Sequence, residues 1–150
     1  MSVPEPVELD HITHGENLSS IIETGALVCV NQLESVSPRG IAYEEIQDRR
    51  ARWPVGEGPG GVLHDYVPFY FAPRSPMLYA IHEGEAGGEV GQRAILHLVT
   101  TLDTVERLGC DYLFTDGHAV MRYTTYYDRR SDLNQIDWKV MGERYWYDTE

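Results

Sequence analysis

The chain has 150 residues, 42% of them hydrophobic, with 24 Asp and Glu against 12 Lys and Arg, a net charge of −12. That length and apolar content predict one domain with a real core and exclude a disordered chain. No apolar run approaches a membrane span, and the acidic excess argues against broad, non-specific grip on nucleic acid.

The N-terminal MSVPEPVELD carries neither a basic segment nor an apolar signal core, which points to the cytoplasm. Cys29 and Cys110 are isolated in apolar surroundings and read as buried thiols in a reducing compartment. VELDHIT alternates from Val7 and reads as a strand ending near His11. NLSSIIETG follows as a short helix, with Leu18, Ile21 and Ile22 on one face and Gly25 as its stop. ALVCVN is an apolar, strand-like run, and QLESVSPRG is a loop.

GIAYEEIQDRRARW, residues 40 to 53, is the next helix. At 100° per residue Ala42, Ile46 and Trp53 share a stripe, Tyr43 lies at its edge, and Arg49 and Arg50 flank it. Arg49 has Glu45 four residues back and Arg52 has Asp48, the favourable order for helix ion pairs. Arg50 has Ile46 behind it and Pro54 ahead, so it has no local partner. A guanidinium near a buried face needs an anion or a set of acceptors, because leaving it unpaired costs several kcal/mol.

WPVGEGPGG is a Gly/Pro loop, and LHDYVPFYFAP an aromatic strand with Pro68 marking an edge or bulge. RSPMLYAI starts a helix: Ser75 is its cap and Pro76 its first residue. The Gly- and Glu-rich residues 84 to 92 form a loop. RAILHLVT is a strand, TLDTVERLG a helix stopped by Gly109, DYLFT a strand, DGHA a turn and SDLNQIDWKVM a last helix. Short strands alternating with helices place the chain in the α/β or α+β class.

Metal binding finds no support. His11 and His14 are three apart, but they end a strand and have no acidic or thiol partner at ligand spacing. Neither a Rossmann nor a P-loop glycine pattern occurs, and no GxSxG nucleophile motif. What remains is polar chemistry at the ends of apolar elements. His11 and Thr13 close a strand just before a helix N-terminus, a place suited to ribose hydroxyls or a phosphate. Basic residues gather in two islands, at Arg49, Arg50 and Arg52 and at Arg122, Arg129 and Arg130.

Four blocks, HITHGENLSSIIETGAL, GIAYEEIQDRR, GGVLHDYVPFYFAPRSPMLYAI and LFTDGHAV, together resemble the DarT family. They keep the family's order and cover residues 7 to about 147. The resemblance implies a toxin that moves ADP-ribose from NAD onto a base of single-stranded DNA, thymine ahead of guanine. It also implies a macrodomain antitoxin as partner and an ADP-ribosyltransferase-like split mixed β-sheet core with flanking helices. By position, His11, Ile12 and Thr13 resemble the segment that holds the adenosine side of NAD, with further cofactor contacts at Ser20 and Val28. Arg50 resembles the arginine that meets the cofactor phosphates and assists transfer, and Tyr43, Tyr70 and Met77 would line the nicotinamide end. His118 matches a catalytic-loop histidine that presents the DNA base. Around it Tyr123, Tyr126 and Tyr127 could stack on bases while Arg122, Arg129 and Arg130 take phosphates.

Cleavage of the glycosidic bond in NAD builds positive charge on the ribose, and a carboxylate must stabilise it. The family carries its catalytic glutamate in a strand resembling QAEFLV, and no such segment occurs in these 150 residues. The expectation is a single, C-terminally truncated domain, in which Glu143 ends a helix facing solvent. The rival from another class is a catalytically inactive module that binds NAD or single-stranded DNA.

Overall fold

A computed structural model of the chain describes residues 2–33, 38–84 and 91–144. Its elements are β1 (Glu8–His14), α1 (Leu18–Thr24), α2 (Glu44–Arg52), α3 (Pro76–His82), β2 (Ile95–Thr101), α4 (Leu102–Arg107), β3 (Phe114–Thr115), β4 (Tyr126–Tyr127) and α5 (Trp138–Gly142), joined by loops and short 3-10 turns. β1 and β2 pair antiparallel, with Asp10 opposite Val99 and His14 opposite Ile95. β3 and β4 form a second antiparallel pair, Phe114 opposite Tyr127. Two small sheets among short helices make the mixed α and β fold that the sequence predicts.

β1 is buried on both faces: Leu9, Asp10, Ile12, Thr13 and His14 all lose their exposure. Both its edges are also occupied. β2 takes one, and on the other the backbones of Asp10 and Tyr70 exchange two 2.8 Å hydrogen bonds. Val7 and Leu9 join Leu102, Phe114, Leu133 and Trp138 in one apolar cluster, while Ile12 joins Ile41, Ala80, Ile81 and Ile95 in another. A third holds Val55, Leu63 and Val120. α3 forms as its local signals dictate: Ser75 Oγ accepts from the Leu78 N–H at 3.2 Å, Pro76 needs no N–H partner, and Ile81 is 1% exposed. That cap contributes about 1 kcal/mol, and burying Ile81 about 1.5–3 kcal/mol.

Several expectations are corrected. ALVCVN is not a strand. Beyond Gly25 (φ 73°) only Cys29 is buried, and Val30–Gln32 turn as a 3-10 segment that pairs with neither strand of the β1–β2 sheet. LHDYVPFYFAP makes a 3-10 turn at Leu63–Asp65 and pairs its backbone with β1 only at Tyr70, since Pro68 has no N–H to continue a ladder. SDLNQIDWKVM splits into a 3-10 turn (Arg130–Gln135) and α5. Asp137 restarts the helix by accepting from the Lys139 and Val140 N–H groups. β4 was not foreseen, and β1 runs on to His14. Cys110 is exposed rather than buried. Leu18 and Ile22 face outward, at 37% and 68% exposure. The expected loops at 34–37 and 85–90 lie outside the described residues.

Candidate active site

α2 carries Glu44 and Glu45 in its first turn and Arg49, Arg50 and Arg52 in its last, matching the helix dipole at both ends. The expected Glu45–Arg49 and Asp48–Arg52 ion pairs are not among those formed by the described residues. Arg49 turns away instead: Nη2 donates to the Val120 carbonyl at 2.6 Å, and the guanidinium lies 5.5 Å over the Trp53 ring. That bond ties α2 to the loop bearing His118. Within this loop the His118 carbonyl accepts from Met121 N–H (3.0 Å) and from Thr124 Oγ1 (2.7 Å).

Arg50, half-buried, donates no hydrogen bond and forms no ion pair among the described residues. Its electrostatic neighbours are Tyr70 and Tyr126, His64 and His118. Burial lowers its pKa, yet a guanidinium stays charged at any physiological pH. Both imidazoles are held below the usual histidine range, first by desolvation and then by the Arg50 charge. Burial also raises the pKa of both phenols. A fixed cation thus stands among neutral aromatics without a counter-ion among the described residues. His64 was not foreseen at all. It sits in the turn mistaken for a strand, with Nε2 3.1 Å from Gln47 Oε1 of α2.

The strand end predicted to hold a nucleotide lies beside this cluster in the fold. His11 Nδ1 donates to the Pro68 carbonyl at 2.7 Å, which leaves Nε2 as a free acceptor, and burial keeps the ring neutral. Ile12 spends its side chain in the cluster that also receives Tyr70 and Met77, so only its backbone can meet a ligand. Thr13 is buried, with Oγ1 accepting from Asn17 Nδ2 at 3.0 Å. Ser20 Oγ donates to the Asn17 carbonyl at 3.0 Å, Val28 is half-buried, and Tyr43 is 42% exposed.

The expected DNA face divides. His118, Arg122 and Tyr123 are open, Tyr123 at 81% exposure. Arg129 is open beside Asp128 at 3.9 Å. Arg130 is committed to Asp103 (2.8 Å) and Glu106 (2.6 Å). Tyr126 donates its hydroxyl to the Ala119 carbonyl and packs in the third cluster. Tyr127 stacks on Phe114 at 5.5 Å against the first. These three side chains serve the fold before any ligand. Glu143 is exposed at the end of α5, and no carboxylate contributes to the surroundings of Arg50 among the described residues. No group of three His, Cys, Asp or Glu is placed to hold a metal, and no helix is long and apolar enough to cross a membrane, among the described residues.

The solved structure of Thermus sp. 2.9 DarT in complex with ADP-ribosylated ssDNA superposes with a TM-score of 0.93 at 46% identity, over 99% of this chain and 71% of that one. The same protein in complex with NAD+ matches at 0.84 and 41% identity, covering 99% and 70%. Fold and site together define a domain of the ADP-ribosyltransferase class. The family model described as "ssDNA thymidine ADP-ribosyltransferase, DarT" matches residues 11–150, and the chain belongs to the DarT family. A DNA ADP-ribosyl transferase of Thermus sp. (strain 2.9) is 47% identical over 97% of this chain and 69% of its own length. A DNA ADP-ribosyl transferase–DNA ADP-ribosyl glycohydrolase fusion protein of Thermosipho africanus is 28% identical over 86% of this chain and 31% of its own. The chain thus spans about two thirds of the Thermus relative.

Proposed function

We propose that residues 1–150 belong to one domain, the NAD-binding and DNA-facing part of a DNA ADP-ribosyltransferase that modifies a base in single-stranded DNA, thymine ahead of guanine. The observation that carries this reading is Arg50, a half-buried cation with Tyr70, Tyr126, His64 and His118 as electrostatic neighbours and no anion of its own among the described residues. The pyrophosphate of NAD supplies that anion. His11 Nε2 and the Ile12–Thr13 backbone take the adenosine side, with Ser20 and Val28 behind them. Tyr43, Tyr70 and Met77 border the nicotinamide, and the neutral His118 meets the incoming base. Exposed Arg122, Tyr123 and Arg129 hold the flanking strand. No carboxylate is among the electrostatic neighbours of Arg50 within the described residues, so the one the reaction requires is left unassigned. The Thermus complexes with NAD+ and with ADP-ribosylated ssDNA support both ligands.

The fusion relative joins a transferase to a glycohydrolase, which supports a toxin–antitoxin role with a macrodomain-type antitoxin. The cytoplasm, where NAD and DNA meet, is the place of action. Calorimetric titration of NAD, with Arg50→Ala as comparison, tests the reading; equal affinity in both would overturn it. A second reading is an inactive NAD- or ssDNA-binding module, favoured by the absence of a carboxylate around Arg50 among the described residues. Transfer from labelled NAD to single-stranded DNA separates the two.

A further inference from the structure

Asn17 is 8% exposed and uses its whole amide. Nδ2 donates to Thr13 Oγ1 at 3.0 Å and to the Arg39 carbonyl at 3.0 Å, while Oδ1 accepts from the Arg39 N–H at 2.9 Å. A primary amide is the side chain that can give to the C=O and take from the N–H of one residue at once, as a neighbouring strand would. Residues 38–43 belong to no helix or strand, and they lead directly into α2 and Arg50. The Glu16–Arg39 ion pair, 2.8 Å but with both side chains about half exposed, adds little to this hold.

We infer that Asn17 is a positioning residue: its amide clasps the Arg39 backbone to the His11–Thr13 end of β1 and so sets the two walls of the cleft against each other. The inference rests on the reading that both walls meet one NAD molecule. Without the clasp the segment entering α2 samples other arrangements, and apparent affinity falls with the fraction that stays competent. Loss of two or three hydrogen bonds, one buried and two part-buried, puts that fall at about tenfold.

Hydrogen exchange on the free chain reads the clasp without any ligand. Asn17→Ala should speed exchange over residues 39–43 while the β2 amides keep their wild-type protection. Calorimetric titration should then show NAD binding about tenfold weaker, whereas Glu16→Ala, which removes only the exposed ion pair, binds as wild type. If Asn17→Ala does not fold, Asn17→Asp gives the same readouts, because it keeps the acceptor for the Arg39 N–H and loses both donated bonds. Unchanged exchange over 39–43, unchanged NAD affinity, or protection lost equally across β1 and β2 would each overturn the inference. A wild-type chain that binds no NAD overturns the proposed function instead.

Discussion

Arg49 and Val120 are joined by a 2.6 Å bond from a guanidinium to a backbone carbonyl, linking α2 to the loop that carries His118. The adjacent Arg50 makes no such bond among the described residues. One arginine of the pair holds the fold, and the other is held ready by it.

Mutation should therefore separate the two. Arg49→Ala strands the carbonyl of Val120, a residue with 0% exposure, and should cost about 1–3 kcal/mol of stability. Arg50→Ala removes a half-buried charge without a partner and should leave stability unchanged or slightly higher. Its NAD affinity should fall by about 1.5–3 kcal/mol, the worth of a charge-assisted bond. Thermal denaturation and calorimetry read the two effects, and equal losses of stability would refute the division.

On DNA, single strands should bind better than duplex, because stacking needs exposed base faces. Tyr123→Ala should cost about 1–3 kcal/mol of affinity. Arg130→Ala should leave DNA affinity alone and lower stability, since Asp103 and Glu106 already occupy it. With Arg122 and Arg129 left to meet phosphates, the log–log salt slope should be on the order of 1–2. Tighter binding to duplex of the same sequence would count against this face.

Acid should act in two windows. His11, His64 and His118 all have folded pKa values below 6.5, each first through desolvation. The unfolded chain therefore takes up protons before the folded one, so stability is full above 6.5 and declines as pH falls below it. Asp65 is depressed below 3.8 by its bonds from Asn31 and the Val62 N–H, and its contribution disappears only in stronger acid. Melting temperatures from pH 8 to 3 should show both declines, and His11→Gln should blunt the first alone. A flat profile between pH 7 and 5 would contradict the desolvated, neutral histidines.

Transfer should be separable from binding. A polypeptide of these 150 residues should bind NAD yet transfer ADP-ribose at least about 10²–10³-fold more slowly than a chain bearing the carboxylate strand found in the family. Labelled NAD and single-stranded DNA provide the assay, with a full-length family member as the comparison. Robust transfer by the 150 residues alone would turn attention to Glu143.

Gly61→Ala probes the turn beneath His64. A Cβ there would lie 2.5 Å from Asp65 Oδ2, at a φ of +77° that side chains rarely adopt. A loss of about 1–3 kcal/mol is expected from strain plus the disturbed Asp65 bonds. A wild-type melting temperature would show that the turn gives way freely.

Elements set by neighbouring residues were legible in the sequence. α3 was read from Ser75–Pro76, α4 from its Gly109 stop, and β1 and β2 from their apolar pattern. Arg50 was legible through what it lacked nearby. ALVCVN and FYF were not, because a strand requires a backbone partner along its length, and pattern alone does not say whether the fold brings one alongside. Arg130 looked free since its acids lie 27 and 24 residues earlier in the chain. Asn17 was invisible for a related reason: its main partner is a backbone 22 residues away, which side-chain identity does not reveal.

The reciprocal bond between Asp10 and Tyr70 sets how much change in length this chain tolerates. Phe69 and Phe71 enter the cluster around Leu9 and Trp138, while Tyr70 enters the one with Ile12 and Met77, beside Arg50. A deletion or insertion of one residue that slid this run along β1 would exchange the two directions. A benzyl group would then face the cation, and a phenol would be sealed in hydrocarbon without a partner. Relatives of this chain should accept insertions in the Gly-rich turn from Gly56 to Gly61, and gain or lose none between Pro68 and Ser75.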